Sequence, residues 1–350
     1  MFYRDMFKRL LLFVALVFIV SCISVSNIEI QVLEPAEAPV DPEARDIIVL
    51  NRTILEKPVS PLETTIPDTV LQPVFLTDLL NLTSTEAVFS FADILNESPG
   101  FNYIGASRII ETIRTDPEKV PEPLDRHHVT VLCDSLDADI LTSLEVFVVE
   151  YRDSLIPEIY TEFGRNIQYT RGVIDIKITA LWLTYDGEGG GLADEYVLRD
   201  SLRWEVADWD VDDVVAQMPD VEEVFLEAGY FAALTYARRI APYWLTGERV
   251  VFMRGNRGMR KAYRHLRNFE TDVAEAIYLD QLERWNNNLV AAAMHNLALV
   301  NELNGNFRQA LVWARRSYQL SQNKLTAEYI DTLEERVRKS EVLDRQLGIN

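Results

Sequence analysis

The stretch RGVIDIKITALWLTYDGEGGG at residues 171–191 decides the fold. Val173, Asp175, Lys177, Thr179, Leu181, Leu183 and Tyr185 alternate with Ile174, Ile176, Ile178, Ala180, Trp182 and Thr184, the period of two that sends successive side chains to opposite faces of a strand. Asp186-Gly-Glu-Gly-Gly-Gly191 then turns the chain into a second strand over 196–207, so the spacing predicts a β-hairpin across 171–207. A phosphate-cradling loop would lead into a helix carrying a Lys, whereas this glycine run leads into a strand without one.

Upstream, Asp46–Asn51 is a short run rich in β-branched residues, the pattern of a buried central strand. Thr69–Asn81 and Thr83–Glu97 have helical spacing, and Thr83 followed by Glu86 predicts a capping box that starts the second helix. Phe101–Ile104 and Ser107–Ile113 are strand candidates, Leu124–Leu136 a helix and Ala138–Tyr151 a long strand, with proline-marked loops at Pro58, Pro61 and Pro67 and at Pro117, Pro121 and Pro123. Downstream, Val221–Arg239 is an amphipathic helix stopped by Pro242, and Trp244–Met253 has the makeup of a last strand. The order predicts an α+β or α/β mixed-sheet domain over 46–253, followed by an all-α region over 254–347. Two units also suit a chain of 350 residues. The element order is loosely similar to small periplasmic domains of envelope lipoproteins such as secretion-pore and cell-wall-synthase activator subunits.

The N-terminus sets the expected compartment. Arg4, Lys8 and Arg9 precede an apolar run over Leu10–Val20, too short to cross a bilayer and suited to an export signal over 1–21. Ile19-Val20-Ser21-Cys22 resembles the lipobox of bacterial lipoproteins, which implies that Cys22 is acylated and becomes the first mature residue. A secretory signal with an incidental Cys is the competing reading. Residue 23 is Ile and not Asp, so by the same resemblance nothing retains the protein in the inner membrane, and an outer-membrane anchor in a Gram-negative envelope is expected. Residues 22–45, with Pro35, Pro39 and Pro42 among acids, are expected to be a tether, its start able to pair as a strand through Ile28, Ile30 and Val32. Cys133 is then the sole remaining thiol, in an apolar stretch that predicts a buried structural residue.

Near the C-terminus, Leu297, Ala298, Gly305, Phe307, Ala310 and Ala314 resemble a tetratricopeptide repeat, with small residues where two helices meet and Gly305 ending the first helix at positive φ. A weaker copy carries Met259, Ala262, Tyr263 and Leu266, then Ala274, Ile277, Tyr278 and Leu282, and 326–347 adds a closing helix. Lipobox, α/β domain, the run Ala237-Arg-Arg-Ile-Ala-Pro-Tyr-Trp244 and this tail together resemble a family of uncharacterised Gram-negative lipoproteins.

Charge narrows the function. Against 34 basic residues stand 55 acidic ones, a net charge of −21 that repels nucleic acid, so no nucleic-acid partner is expected. The total hides two poles: residues 22–237 carry 13 basic and 41 acidic side chains, whereas 238–324 carry 14 and 7. Arg249, Arg254, Arg257, Arg260, Lys261, Arg264 and Arg267 follow one another without an acid, and Arg308, Arg315 and Arg316 add to them. These cations are solvated helix faces, a dock for the acidic domain, or a basic groove for an acidic protein segment, headgroup or wall polymer. Arg257, Arg260, Lys261, Arg264, Arg267, Arg308 and Arg315 are the candidate partner-binding residues.

Catalytic patterns are missing. Adjacent His127 and His128 cannot face one way on a helix, and His295 falls within the repeat helix. Asp208-Trp-Asp-Val-Asp-Asp213 imitates a calcium loop but has Asp213 and Pro219 where Gly and Glu are required, so its acids are expected to cap a short helix. The reading therefore has no catalytic residue, no metal and no cofactor. It predicts a lipid-anchored, non-catalytic scaffold that binds another envelope protein through its helical repeats, with a glycan- or headgroup-binding protein as the alternative and an unrecognised hydrolase third.

Overall fold

The computed structural model describes residues 25–56, 62–63, 70–71, 73–114, 120–162, 165–253 and 255–349. The signal segment 1–21, Cys22, Arg254 and the prolines at 58, 61, 67 and 117 lie outside these. Two compact units emerge: residues 33–244 with 343–349, and residues 25–32 with 245–342.

The first unit is built on a five-stranded sheet of order β5-β2-β6-β7-β8, where β2 is Ile47–Leu55, β5 Ile109–Arg114, β6 Ile140–Glu162, β7 Arg165–Asp186 and β8 Leu192–Asp208. Two-residue strands β3 (Leu62–Glu63) and β4 (Val70–Leu71) form a separate small ladder. β2 runs parallel to both neighbours, and β6, β7 and β8 follow antiparallel. The predicted hairpin is β7–β8, and it extends further because β6 continues to Glu162 and supplies β7 with a partner along its whole length.

One sheet face is covered by α1 (Pro73–Asn96) and α4 (Val221–Ile240), which bury Ile47, Val49, Leu144, Ile174, Ile176, Ile178 and Trp182. Trp182 packs on Phe91 (5.0 Å) and Tyr236 (5.2 Å), which also meet each other at 5.7 Å, and Tyr196 adds to the cluster on Tyr236 at 5.9 Å. Such ring pairs add about 0.5–1.5 kcal/mol each beyond the area they bury. The hydroxyl of Tyr236 reaches Thr184 Oγ1 at 2.7 Å, and Thr184 reaches Thr142 at 2.8 Å, so these three hydroxyls satisfy one another inside the layer. On the opposite face α2 (Arg126–Leu136) covers Ile48, Leu50, Leu141 and Leu183 with Val129 and Cys133.

Two expectations need correction here. Thr83 starts no helix: α1 runs unbroken through it, and the buried hydroxyl donates to the Leu79 carbonyl four residues back at 2.7 Å. What the sequence shows as a start signal is a crossing point, because Gly229 of α4 sits against the Thr83 carbonyl so closely that a Cβ would come within 2.7 Å of it. Phe101–Ile104 is not a strand either. Asn96 accepts from the Ile104 amide at 2.7 Å and donates to its carbonyl at 3.3 Å, occupying the groups that a ladder would use.

The second unit carries β1 (Val25–Glu34) paired with β9 (Tyr243–Phe252), then α5 (Arg257–Arg267), α6 (Thr271–Gln281), α7 (Asn287–Leu303), α8 (Phe307–Ser321) and α9 (Lys324–Gln346). The expected 22–45 tether is therefore structured over β1, whose Ile28, Ile30 and Val32 alternate into the core of the helices. β9, expected to close the α/β sheet, pairs with β1 instead. Its backbone is held from α7: Asn296 accepts from the Phe252 amide at 3.0 Å and donates to its carbonyl at 2.8 Å, and His295 Nε2 meets the Val250 carbonyl at 3.0 Å.

Between α7 and α8, Gly305 has φ +76, a conformation that costs any side chain, and the Asn306 amide returns to the Asn301 carbonyl at 2.8 Å. Leu297, Ala298, Ala310 and Ala314 are buried, and Ser317 Oγ donates to the Ala291 carbonyl at 2.7 Å across the two helices. Phe307 is half-buried beneath the Arg336 guanidinium at 5.0 Å. The whole is a mixed α/β unit followed by a C-terminal run of helices.

Candidate functional site

The basic segment forms α5. Asn256 starts it by accepting from the Met259 amide at 2.9 Å, while its own amide group donates to Gln281 of α6 at 2.6 Å. Met259, Ala262 and Leu266 point into the core with Ala274 and Tyr278 of α6. At 100° per residue, Arg257, Arg260, Lys261, Arg264 and Arg267 fall within an arc of about 120° on the opposite side. All five are exposed, and among the described residues none forms an ion pair. Like charges three and four apart on a helix each cost a few tenths of a kcal/mol, so the face carries on the order of 1–2 kcal/mol of internal repulsion. Only Arg264 and Arg267, near the negative end of the helix dipole, recover part of it.

Beside this face lies an open depression of about 620 Å³, with Arg257, Lys261 and Arg264 on one side and His265, Asn268 and Glu270 on the other. Its one acid is engaged: Glu270 Oε2 meets His265 Nδ1 at 2.5 Å, and that bond holds the Glu270 carboxyl below the usual carboxylate range. The depression is thus a cationic surface without a free counter-charge.

The other sequence candidates are not part of it. Arg308 and Arg315 pair with Glu341 (2.8 Å) and Glu334 (2.7 Å) of α9, so they do not extend the basic surface as expected. The reason is register: the arginines and the glutamates are both seven residues apart, two helical turns, and match antiparallel. Arg249 is bound through three short contacts, 2.7–3.1 Å, to buried Glu302, which also accepts from Tyr329 at 2.6 Å. Arg316 lies over the Trp313 ring at 5.2 Å.

His295 is wholly interior, between the Val250 carbonyl and Thr326 Oγ1 at 3.0 Å each, and burial pushes its pKa down to about 4. It is a neutral packing residue. His127 and His128 sit at the exposed start of α2, where His128 bonds to the cap Asp125. Among the described residues no group of three or more His, Cys, Asp or Glu could hold a metal ion. Cys133 is buried, and desolvation raises its thiol to about 11, outside the range of a reactive thiolate. Acids after β8 cap the short helix α3 (Val211–Gln217), Asp210 accepting from the Asp212 amide at 2.9 Å.

Sequence reasoning missed a second concavity, in the other unit. Tyr160, Tyr169, Ala207, Asp208 and Trp209 enclose about 310 Å³ at the far end of β6, β7 and β8. The available signal was Trp209 itself, a large apolar residue inside a run of aspartates where no core position was expected.

A family model described as a domain of unknown function (DUF8603) matches residues 44–252, and a second, also a domain of unknown function (DUF6340), matches 260–335. No curated protein matches the chain. Among solved structures, the neuraminyllactose-binding hemagglutinin homolog from Helicobacter pylori is similar at 8% identity with a TM-score of 0.27, over 59% of this chain and 91% of its own. A likeness of that extent carries no argument about this protein.

Proposed function

The chain belongs to the DUF8603 family, and from that premise we propose a lipid-anchored cell-envelope protein that binds an acidic segment of another envelope protein and does no chemistry of its own. The α5 face carries the reading: five exposed cations, unpaired among the described residues, beside an open depression. A fold that gains nothing internally from this charge keeps it for an external anion, and field complementarity would supply both on-rate and selectivity. The α7–α8 pair, with its small interface residues and Gly305 turn, supports a tetratricopeptide-like scaffold as the frame that presents α5. Anchoring rests on the lipobox at Cys22, which points to the outer membrane. No helix among the described residues is long and apolar enough to cross a membrane.

The test is crosslinking capture from intact envelopes with the full chain and with Arg257→Glu/Lys261→Glu/Arg264→Glu. The triple variant should retain its helical circular dichroism and lose a salt-sensitive partner. Capture that survives the reversal, or that ignores salt, overturns the reading. Loss of binding to anionic vesicles or wall glycan, with protein capture unchanged, moves the function to a headgroup or glycan ligand. Separately, Cys22→Ser should release the protein into the soluble fraction, and persistence in membranes would remove the anchor.

A further inference from the structure

Trp209 is 65% exposed and Tyr160 is 53% exposed, and both line the same cleft. The ladder explains their convergence. Tyr169 stands opposite Glu158 on β6, two residues from Tyr160, so the two tyrosines share one sheet face. β8 ends with Asp208 opposite Thr170, and Trp209 follows on the Tyr169 side. The Tyr169 and Trp209 ring centroids lie 6.4 Å apart with planes at 76°, so the two rings form adjoining walls of a corner. Tyr160 lines the same cleft.

Asp208 also lines the cleft, at the end of β8 where its ladder partner is Thr170. Asp208 accepts from Gln217 Nε2 at 2.9 Å and from the Trp209 amide at 2.6 Å, and these bonds hold its carboxyl below the usual range. Asp210, Asp212 and Asp213 follow within the next turn of chain. Arg171, on the same face as Tyr169, does not cancel this charge, because it is tied to Glu158 at 2.6 Å and Glu205 at 3.4 Å.

We propose that this cleft binds a compact organic cation of the methylated-ammonium class. Three aromatic side chains line one open cleft, a composition that attracts a weakly hydrated cation, and an adjacent carboxylate with further acids supplies long-range attraction. An anion would meet repulsion from Asp208 and the acids that follow it. A neutral sugar would stack and donate hydroxyl hydrogen bonds to the carboxylate, but would gain nothing from the long-range field. A bare metal ion would find ring faces in place of ligands. A cleft of about 310 Å³ is at the small end of ligand sites, which suits a headgroup-sized molecule.

The experiment titrates the full chain with choline, with tetramethylammonium and with 3,3-dimethylbutan-1-ol, the uncharged isostere of choline, following indole and tyrosine resonances by NMR. Both cations should saturate with dissociation constants on the order of 1 mM, and the isostere should bind at least about tenfold more weakly. Trp209→Ala should weaken choline about tenfold with an unchanged unfolding midpoint, since the ring is mostly in water. Asp208→Asn, which keeps the side-chain shape, should weaken it about threefold. Equal binding of the isostere, binding of neutral hexoses in place of choline, or no saturation by choline at about 50 mM would each overturn the proposal.

Discussion

In the α/β unit Arg52, Arg108, Arg171, Arg203 and Arg239 each meet a carboxylate, whereas in the helical unit the five cations of α5 meet none among the described residues. Cations are scarce in the first unit, and these five lie where each offsets a neighbouring acid. In the second they are abundant, and where α9 offers acids in register, at Glu334 and Glu341, they pair as well. Surplus charge is therefore localised to one helix face and is not a general property of the basic region. A sequence total cannot show that distinction, because it depends on which side chains the fold brings together.

The contrast between the two units can be measured. Trp182→Ala should remove about 3–5 kcal/mol from the α/β unit through the cavity left in its aromatic stack. Chemical denaturation read by far-ultraviolet circular dichroism and tryptophan fluorescence should then show an early transition, with a later one for the helices unmoved; a common shift would mean that the units fold as one. Acid should act on the other unit. His295 has a folded pKa near 4, below its unfolded value near 6.5, so the unfolded chain binds the extra proton between those values. The contribution is complete above about pH 6.5 and is lost as pH falls toward 4, on the order of 3 kcal/mol. Denaturation at pH 7 and 4.5 should show this slope, and His295→Gln should flatten it.

Arg239→Ala, which abandons half-buried Asp194 and its two contacts of 3.1 and 2.8 Å, should cost about 2 kcal/mol. Gly305→Ala should cost about 1 kcal/mol in the helical unit, from the strain of a side chain at positive φ. Smallest of all, Arg264→Glu should shift the unfolding midpoint by no more than about 0.5 kcal/mol, and toward greater stability, because it relieves like-charge crowding on α5. A loss as large as that of Arg239→Ala would show that the α5 charge is structural.

Local periodicity made the sheet legible. The alternation through Val173–Tyr185 needs no tertiary information, since a buried face imposes it residue by residue. The Thr83 and Phe101–Ile104 readings failed because each turns on a distant or non-ladder partner, Gly229 in one case and Asn96 in the other. β9 was visible as a strand but not its sheet: Val251 and Phe252 suit any core, and contacts to His295, Asn296 and Glu302 hold it to the helices. For the candidate site, α5 was legible as charge and spacing. Its separation from Arg308 and Arg315 was not, because helix-to-helix register decides it. The aromatic cleft was not legible because its members come from three strands, and period two alone does not show which strand ends stop together.

The pairing of β1 with β9 has a consequence for how the chain matures. Gln31 meets Thr246 at 3.2 Å across 215 residues of sequence, and the strand holding Ile28, Ile30 and Val32 emerges first during N-to-C synthesis. The helical unit cannot close until its far half has followed, so β1 spends the interval as an unpaired apolar strand. Such a segment is a natural substrate for a holdase and a natural seed for misassembly. Slowed elongation should then lengthen the interval in which β1 is exposed.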